Sequence, residues 1–336
     1  MTMTTTTEWV ARAGAGIEGL FTREVAIADP GPGEVLVRLT AATLNYRDLI
    51  GVRGGIPGMT KDEYVPLSCA CGVVVAVGAG VTRVAVGQRV SPLFAQGWLS
   101  GGLEEMTPTH LGGSVDGVAR SHALFPEHSL SLVPDELSDL EAATVPCAGL
   151  TAWSCLFAIR HTRPGDVVVL QGTGGVSIAA LQLAKAAGAE VIITSSSDAK
   201  LARAGALGAD HLINYRGTPA WEQEVLAITG GRGAHLLVDV VGGSALASAV
   251  TALRDSGVVA GVGMLGGEFS WGREARVPVR RVAVGNREQF EAMLRALAVN
   301  RIRPVVDRVY PLARLPEALD ALARGDFFAK IAVTLS

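Results

Sequence analysis

The sequence predicts an α/β protein of two domains, one mainly β and the other built on a doubly wound parallel sheet. Three observations lead there. Apolar, β-branched runs at 35–39, 72–77 and 89–91 alternate with proline and glycine turns such as Asp29-Pro30-Gly31-Pro32-Gly33. From position 138 the rhythm changes to helix and strand in alternation, with strands expected at 167–170, 190–194, 236–241 and 258–262. The chain's 336 residues, 49% of them hydrophobic, exceed what one core normally needs.

Each later element has its own signal. The helix expected after the 167–170 strand carries Val176, Ala179, Ala180, Leu183, Ala184 and Ala187 on one face, a stripe suited to packing on a sheet. The tail predicts a strand at 305–310, a helix at 315–323 and a last strand at 330–335, which is expected to rejoin the N-terminal β domain. A further strand is expected at 277–284.

Bulk properties exclude several classes of function. A net charge of -3 gives no general attraction to nucleic acid or anionic membrane. With neither an apolar leader nor an apolar run long enough to span a bilayer, the expected location is the cytoplasm. Cys69, Cys71, Cys147 and Cys155 are too few for a disulfide scaffold and are expected as reduced thiols. No HExxH pair or four-cysteine lobe is present, so the sequence carries no ordinary metal signature.

Gln171-Gly172-Thr173-Gly174-Gly175-Val176-Ser177 joins the first parallel strand directly to its helix. A glycine turn there lets a pyrophosphate approach backbone N–H groups at the positive end of the helix, so the segment reads as a dinucleotide-binding loop. An NAD-binding version would carry an acidic side chain near the end of the second strand. Here that strand runs into Thr194-Ser195-Ser196-Ser197-Asp198-Ala199-Lys200, which offers hydroxyls and a lysine to a 2'-phosphate and points to NADPH over NAD. The alternative reading is a serine-rich turn opening a helix, with Asp198 as its cap.

These segments, together with Leu44-Asn45-Tyr46-Arg47-Asp48-Leu49, Pro66-Leu67-Ser68, Leu150-Thr151-Ala152-Trp153, Ala209-Asp210-His211-Leu212-Ile213-Asn214-Tyr215 and Asp239-Val240-Val241-Gly242, give the chain a family resemblance over nearly its full length. It resembles the zinc-free, quinone-oxidoreductase-like branch of the medium-chain dehydrogenase/reductase superfamily, including zinc-type alcohol dehydrogenase-like members. The resemblance implies a GroES-like substrate domain over 1–128 and 303–336 and a Rossmann domain over 129–302. It adds Tyr215, Val241, Gly261 and Gly263 to the cofactor contacts, a tight strand-to-loop turn being the alternative reading of the two glycines, and implies a homodimer joined along the 277–284 edge.

Zinc-containing relatives carry Cys-His near Asn45-Tyr46, His-Glu near Ser68-Cys69, and a cysteine at Cys147. Only the last survives here, so no catalytic zinc is expected. A soft metal held by Cys69, Cys71 and Cys147 is the alternative. This chain also has Cys69 where zinc-free members often have Asp after Ser68.

Without a Lewis acid, a quinone or enone is an easier hydride acceptor than an isolated ketone, because the incoming charge delocalises. Tyr46 is the candidate proton donor, with a pocket wall as its other reading. Asn45 is a candidate for orienting substrate or tyrosine, or else for bonding the turn backbone, and Asp48 reads as structural. Trp98, Leu99, Met264, Leu265, Phe269 and Trp271 are placed by the resemblance around a hydrophobic substrate cleft, scattered core residues being the alternative. Arg273, Arg276, Arg280 and Arg281 read as a solvated face. The expected activity is NADPH-dependent reduction of a quinone, enone or related carbonyl. An NAD(P)-dependent alcohol dehydrogenase and a non-catalytic, crystallin-like binding protein are the rivals.

Overall fold

A computed structural model of the chain describes residues 5–55, 60–107, 109–263 and 276–335. Packing divides the chain into two compact units, Met1–Leu150 with Gly285–Ser336 and Thr151–Val284.

The first unit contains β1 (Thr5–Arg12), β2 (Phe21–Ala26), β3 (Glu34–Thr43), α1 (Tyr46–Val52), β4 (Glu63–Tyr64), β5 (Cys69–Val77), β6 (Arg89–Pro92), β7 (His122–Pro126), β8 (Leu130–Leu132) and α2 (Asp139–Ala143). After α3 (Leu150–Trp153) the second unit alternates β9 (Val167–Gln171), α4 (Gly175–Ala186), β10 (Glu190–Ser195), α5 (Asp198–Ala206), β11 (His211–Asn214), α6 (Trp221–Ile228), β12 (Ala234–Asp239), α7 (Leu246–Ala249), β13 (Leu253–Gly261) and β14 (Val279–Arg281). The chain returns to the first unit with α8 (Arg287–Val299), β15 (Val306–Pro311), α9 (Leu315–Arg324) and β16 (Lys330–Thr334).

The larger sheet of the first unit runs β15-β16-β3-β5-β6-β8, with β7 also paired to β3. Its core gathers Val35, Val37, Leu39, Phe125, Leu319 and Ile331. The closing strand therefore does rejoin the N-terminal β domain. β16 lies antiparallel to β3, with Ala332 opposite Thr43, and β5 flanks β3 on its other side, with Cys69 also opposite Thr43. The register thus brings Lys330, the Leu44-Asn45 turn and Cys69 to one end of the sheet.

The sheet of the second unit is wholly parallel in the order β11-β10-β9-β12-β13-β14. Chain progression reverses between β9 and β12, and in such sheets ligands bind beyond the strand ends at that reversal. Every residue of β9 is buried, as a central parallel strand covered on both faces requires. The buried stripe of α4 is Ser177, Ile178, Ala180, Leu181, Leu183 and Ala184, rotated from the expected one, with Val176, Ala179 and Ala187 only part-buried. The 277–284 strand shortens to β14 at the sheet edge.

Packing groups 129–150 and 285–302 with the β-rich unit, whereas the limits implied by the family resemblance follow the chain order of the parallel sheet. The physical reason is local. β8 pairs with β6, the N–H groups of Arg287 and Glu288 at the start of α8 donate to the carbonyls of Trp98 and Leu99, and Arg83 bridges to Glu291 at 2.8 Å. Among the described residues no helix is long and apolar enough to cross a membrane.

Candidate functional site

In the second unit, Gly172 leaves β9 with φ +71, a left-handed conformation that any side chain would strain. Ideal Cβ atoms built on Gly172 and Gly174 meet nothing within 4 Å, so backbone faces open space just before α4 begins at Gly175. Ser177 takes the place of a third glycine and donates to the carbonyl of Gln171 at 2.7 Å, tying the helix to the strand it leaves. Thr173 is buried between the two glycines and Val176 is part-buried.

At the end of β12, Asp239 Oδ1 accepts the N–H groups of Val241 at 3.1 Å and Gly242 at 3.0 Å, shaping the turn. Gly263 approaches this turn so closely that a Cβ would collide with Gly242 and Val241 backbone. Gly261 ends β13 opposite Asp239. The loop after β9, the turn after β12 and the end of β13 therefore stand together at the carboxyl ends of neighbouring strands.

On the other side of β9, Ser195 ends β10 buried, and its Oγ accepts the N–H of Ser197 at 3.3 Å. The cap of α5 is Ser197, whose side chain accepts from Lys200 N, and not Asp198 as the alternative sequence reading had it. Asp198 is engaged instead by Asn214, whose Nδ2 donates to its Oδ1 at 2.7 Å. Ser196 and Lys200 are part-buried, and Tyr215, exposed, donates its N–H to Ser195 O at 3.1 Å. Ser195, Ser196, Lys200 and Tyr215 thus all lie in the chain segments that meet at the end of β10.

The first unit holds a compact buried cluster. Asn45 precedes α1 in extended conformation, and its backbone N–H donates to Asp48 Oδ2 at 2.7 Å, which makes Asp48 structural. Burial pushes the Asp48 carboxyl above its ordinary range, opposed by Arg47, this hydrogen bond and Lys330. With Asp48, Asn45 forms the capping box of α1, and its side chain also joins buried groups from other strands. Its Nδ2 donates to Ser68 Oγ at 3.3 Å and Cys69 Sγ at 3.1 Å, while its Oδ1 accepts from Lys330 Nζ at 2.6 Å. Lys330 Nζ also donates to Leu44 O and is itself buried. Sequence reasoning missed Lys330; the available signal was a lone lysine opening an otherwise apolar buried strand.

Cys147 lies on a π-helical turn, Val145–Gly149, and shares a hydrogen bond with Cys69. Burial pushes the Cys69 thiol up, but Cys147, the Lys330 charge and the Asn45 N–H together outweigh it and hold Cys69 below the usual thiol range. The hydrogen bond to Cys69, with burial, pushes Cys147 up. Cys71 does not join them. Successive residues of a strand face opposite ways, but β5 places 69 and 71 alike, and the separation arises from partners: Cys71 Sγ donates to Asp139, which Arg89 holds at 2.7 Å.

Tyr46, the first residue of α1, is 39% exposed, so its phenol is accessible. Trp98 is buried and Leu99 part-buried, their carbonyls spent on α8; Met264, Leu265, Phe269 and Trp271, with Arg273, lie outside the described residues.

The alcohol dehydrogenase GroES-like domain profile matches residues 31–135, and the zinc-binding dehydrogenase profile matches 175–307. A zinc-type alcohol dehydrogenase-like protein of Schizosaccharomyces pombe is 39% identical over 86% of this chain and 87% of its own length. The chain belongs to the medium-chain dehydrogenase/reductase superfamily. As a member of that superfamily it is an oxidoreductase of alcohol dehydrogenase-like type with a GroES-like domain and a Rossmann domain. A crystal structure from Sinorhizobium meliloti 1021 superposes with a TM-score of 0.90 at 39% identity, covering 99% of this chain and 100% of that one. An NAD-dependent alcohol dehydrogenase superposes at 0.87 with 33% identity, covering 98% and 100%.

The profile's zinc can be tested against the side chains of this superfamily member. A catalytic zinc takes about three protein ligands. Among the described residues no three His, Cys, Asp or Glu side chains cluster to hold a metal, and the cluster around Asn45 offers two thiols, a hydroxyl and an amide whose oxygen is already bonded to Lys330. A cation beside the thiols adds repulsion to any metal there. These residues do not fit a catalytic zinc, and with Cys71 turned to Asp139 they do not form the three-cysteine soft-metal site either.

Proposed function

We propose that this protein is an NADPH-dependent oxidoreductase that reduces a quinone, enone or related carbonyl without catalytic zinc. The observation that carries the reading is Lys330 bonded to Asn45 in a donor set that does not fit zinc. A metal Lewis acid stabilises a developing alkoxide by several kcal/mol, and a site lacking one favours acceptors in which the charge spreads over a conjugated system.

The nicotinamide cofactor supplies the hydride. Gly172, Thr173, Gly174, Gly175 and Val176 are the residues proposed to hold its pyrophosphate, with Val241, Gly261 and Gly263 beside its nicotinamide half. Ser195, Ser196, Lys200 and Tyr215 are proposed to bind the 2'-phosphate. Tyr46 is proposed to donate the proton, its exposed phenol being free to reach a ligand, and Asn45 to position α1 beneath it. Among the described residues β14 has a sheet neighbour only on one side, which supports edge pairing with a second copy as a homodimer.

A second reading, an NAD(P)-dependent alcohol dehydrogenase, is favoured by the relatives' names, including the NAD-dependent structure at 33% identity. The test is NADPH oxidation measured over quinones, enones, aldehydes and ketones, beside the reverse reaction with alcohols. Turnover on conjugated acceptors is expected. Turnover confined to alcohols and simple carbonyls would establish the second reading, and cofactor binding without turnover would leave a binding protein.

A further inference from the structure

We propose that Cys69 and Cys147 are a redox-responsive dithiol, converted by peroxides to an intramolecular disulfide and returned by thiols. The proposal does not depend on which carbonyl the enzyme reduces.

Four features of the first unit converge on it. The two sulfurs already touch through a hydrogen bond, although 78 positions separate them in sequence, by subtraction of 69 from 147, and both are free thiols. Asn45 Nδ2 donates to Cys69 Sγ at 3.1 Å, and Lys330 places its charge in the same cluster through Asn45 Oδ1. An amide donor and a cation both stabilise a sulfur anion, the reactive form toward oxidants. Cys147 is only part-buried, which gives a small neutral oxidant a way in that the wholly buried Cys155 lacks.

The chemistry balances with hydrogen peroxide as the two-electron oxidant. One thiolate attacks a peroxide oxygen; the S–O bond forms, the O–O bond breaks, and the departing hydroxide leaves as water after taking a proton. The second sulfur then attacks the sulfenic sulfur; the S–S bond forms, the S–O bond breaks, and the second thiol's proton leaves with that oxygen as water. Two thiols and one peroxide give one disulfide and two waters. Closing the bond shortens sulfur contact to about 2.05 Å, so the Val145–Gly149 turn must draw toward β5, and Cys69 ceases to be an acceptor for Asn45.

The rest of the cysteine complement supplies contrast. Cys71 is tied to Asp139 and burial pushes its thiol up, and Cys155 is held high by burial. Neither has a second sulfur as partner, so oxidation is expected to bypass both.

The experiment treats the purified full-length protein with limiting hydrogen peroxide, quenches with an alkylating reagent, and reads intact mass and a non-reducing peptide map. The expected result is loss of two hydrogen atoms, a peptide joining Cys69 to Cys147, and full reversal by dithiothreitol. The Cys71→Ser, Cys155→Ser double variant should give the same cross-link. Lys330→Gln should slow its formation about tenfold, because thiolate availability sets the rate. Separate sulfinic acids on the two cysteines, a cross-link through Cys71 or Cys155, or thiols unaltered while free glutathione is oxidised would each overturn the proposal. These readouts are masses of the unaltered chain, so they decide it even if Lys330→Gln fails to fold, and their failure would leave the proposed reductase activity untouched.

Discussion

Lys330 Nζ stands 2.6 Å from Asn45 Oδ1, a contact made across 285 positions of sequence by the pairing of β16 with β3. A lysine amino group in its charged form only donates, which fixes the Asn45 amide with its oxygen toward Lys330 and its N–H groups toward Ser68 and Cys69. One side chain therefore sets the orientation of the whole cluster beneath α1.

Replacing Lys330 by Met leaves two buried acceptors, Asn45 Oδ1 and Leu44 O, without their donor. Each such loss costs about 1–3 kcal/mol, so unfolding stability should fall by roughly 2–6 kcal/mol. The urea midpoint should drop with little change in slope. An unchanged midpoint would show that the contacts contribute nothing net.

Purified protein should contain far less than one zinc per chain, and chelator should leave turnover unaltered. Elemental analysis of protein grown with added zinc checks both. One tightly held zinc per chain, lost in Cys147→Ser, would contradict the misfit of the donor set.

His110 is 2% exposed, stacked on Phe94 with ring centroids 5.2 Å apart, and neither ring nitrogen has a hydrogen-bond partner among the described residues. Burial, with Arg47 nearby, lowers its pKa from 6.5 to about 4. The folded value lies below the unfolded one, so the unfolded chain binds the proton first. The His110 contribution to stability is complete above pH 6.5 and is lost as pH falls from there toward about 4. His110→Phe should flatten part of that acid slope in denaturation curves taken across the window; His122 and His235, also lowered, retain the rest. An identical slope in the variant would remove His110 as a cause.

The parallel unit was legible because its signals are local: an all-apolar β9, a glycine turn and a helix follow one another without interruption. That β16 is a strand was legible from its apolar pattern. What the sequence hid were relationships set by register. Nothing local to Lys330 says that β16 will lie beside the Leu44-Asn45 turn, and Asn45 was weighed against substrate, Tyr46 and its turn backbone but not against β16. Cys71 was grouped with Cys69 because the two share a strand face, whereas Asp139, 68 positions away, decides its environment. The α4 stripe was displaced because Ser177 packs inward against Gln171, which periodicity of apolar residues alone does not count.

Tyr46→Phe should lower turnover by about 10- to 10⁴-fold, the range general-acid catalysis spans, while leaving cofactor dissociation constants nearly unchanged. Tyr46 is exposed, and among the described residues its phenol makes no hydrogen bond, so the variant should fold as before. Turnover must be measured where chemistry limits the rate, using deuterated cofactor to establish that. Unaltered turnover under those conditions would reduce Tyr46 to a pocket wall.

The proposed preference for NADPH turns on the end of β10. Ser195 stands where the family resemblance expects the acidic side chain that binds the ribose of NAD, and the nearby carboxylate of Asp198 is engaged by Asn214. In the proposed binding mode a 2'-phosphate there would meet Ser195, Ser196, Lys200 and Tyr215. Hydrogen bonds to charged groups contribute about 1.5–3 kcal/mol each, so two of them, partly screened, give on the order of 10²-fold discrimination against NADH. Lys200→Ala should weaken NADPH binding and leave NADH nearly unchanged. Ser195→Asp should repel the phosphate and narrow or reverse the preference, at some cost in stability, because Ser195 is buried and already accepts from Ser197. Dissociation constants for both cofactors at fixed ionic strength decide the matter, since salt screens the charged part. Equal or tighter binding of NADH by the unaltered protein would reject the NADPH assignment and favour the NAD-dependent reading, with the fold and the oxidoreductase class unaffected.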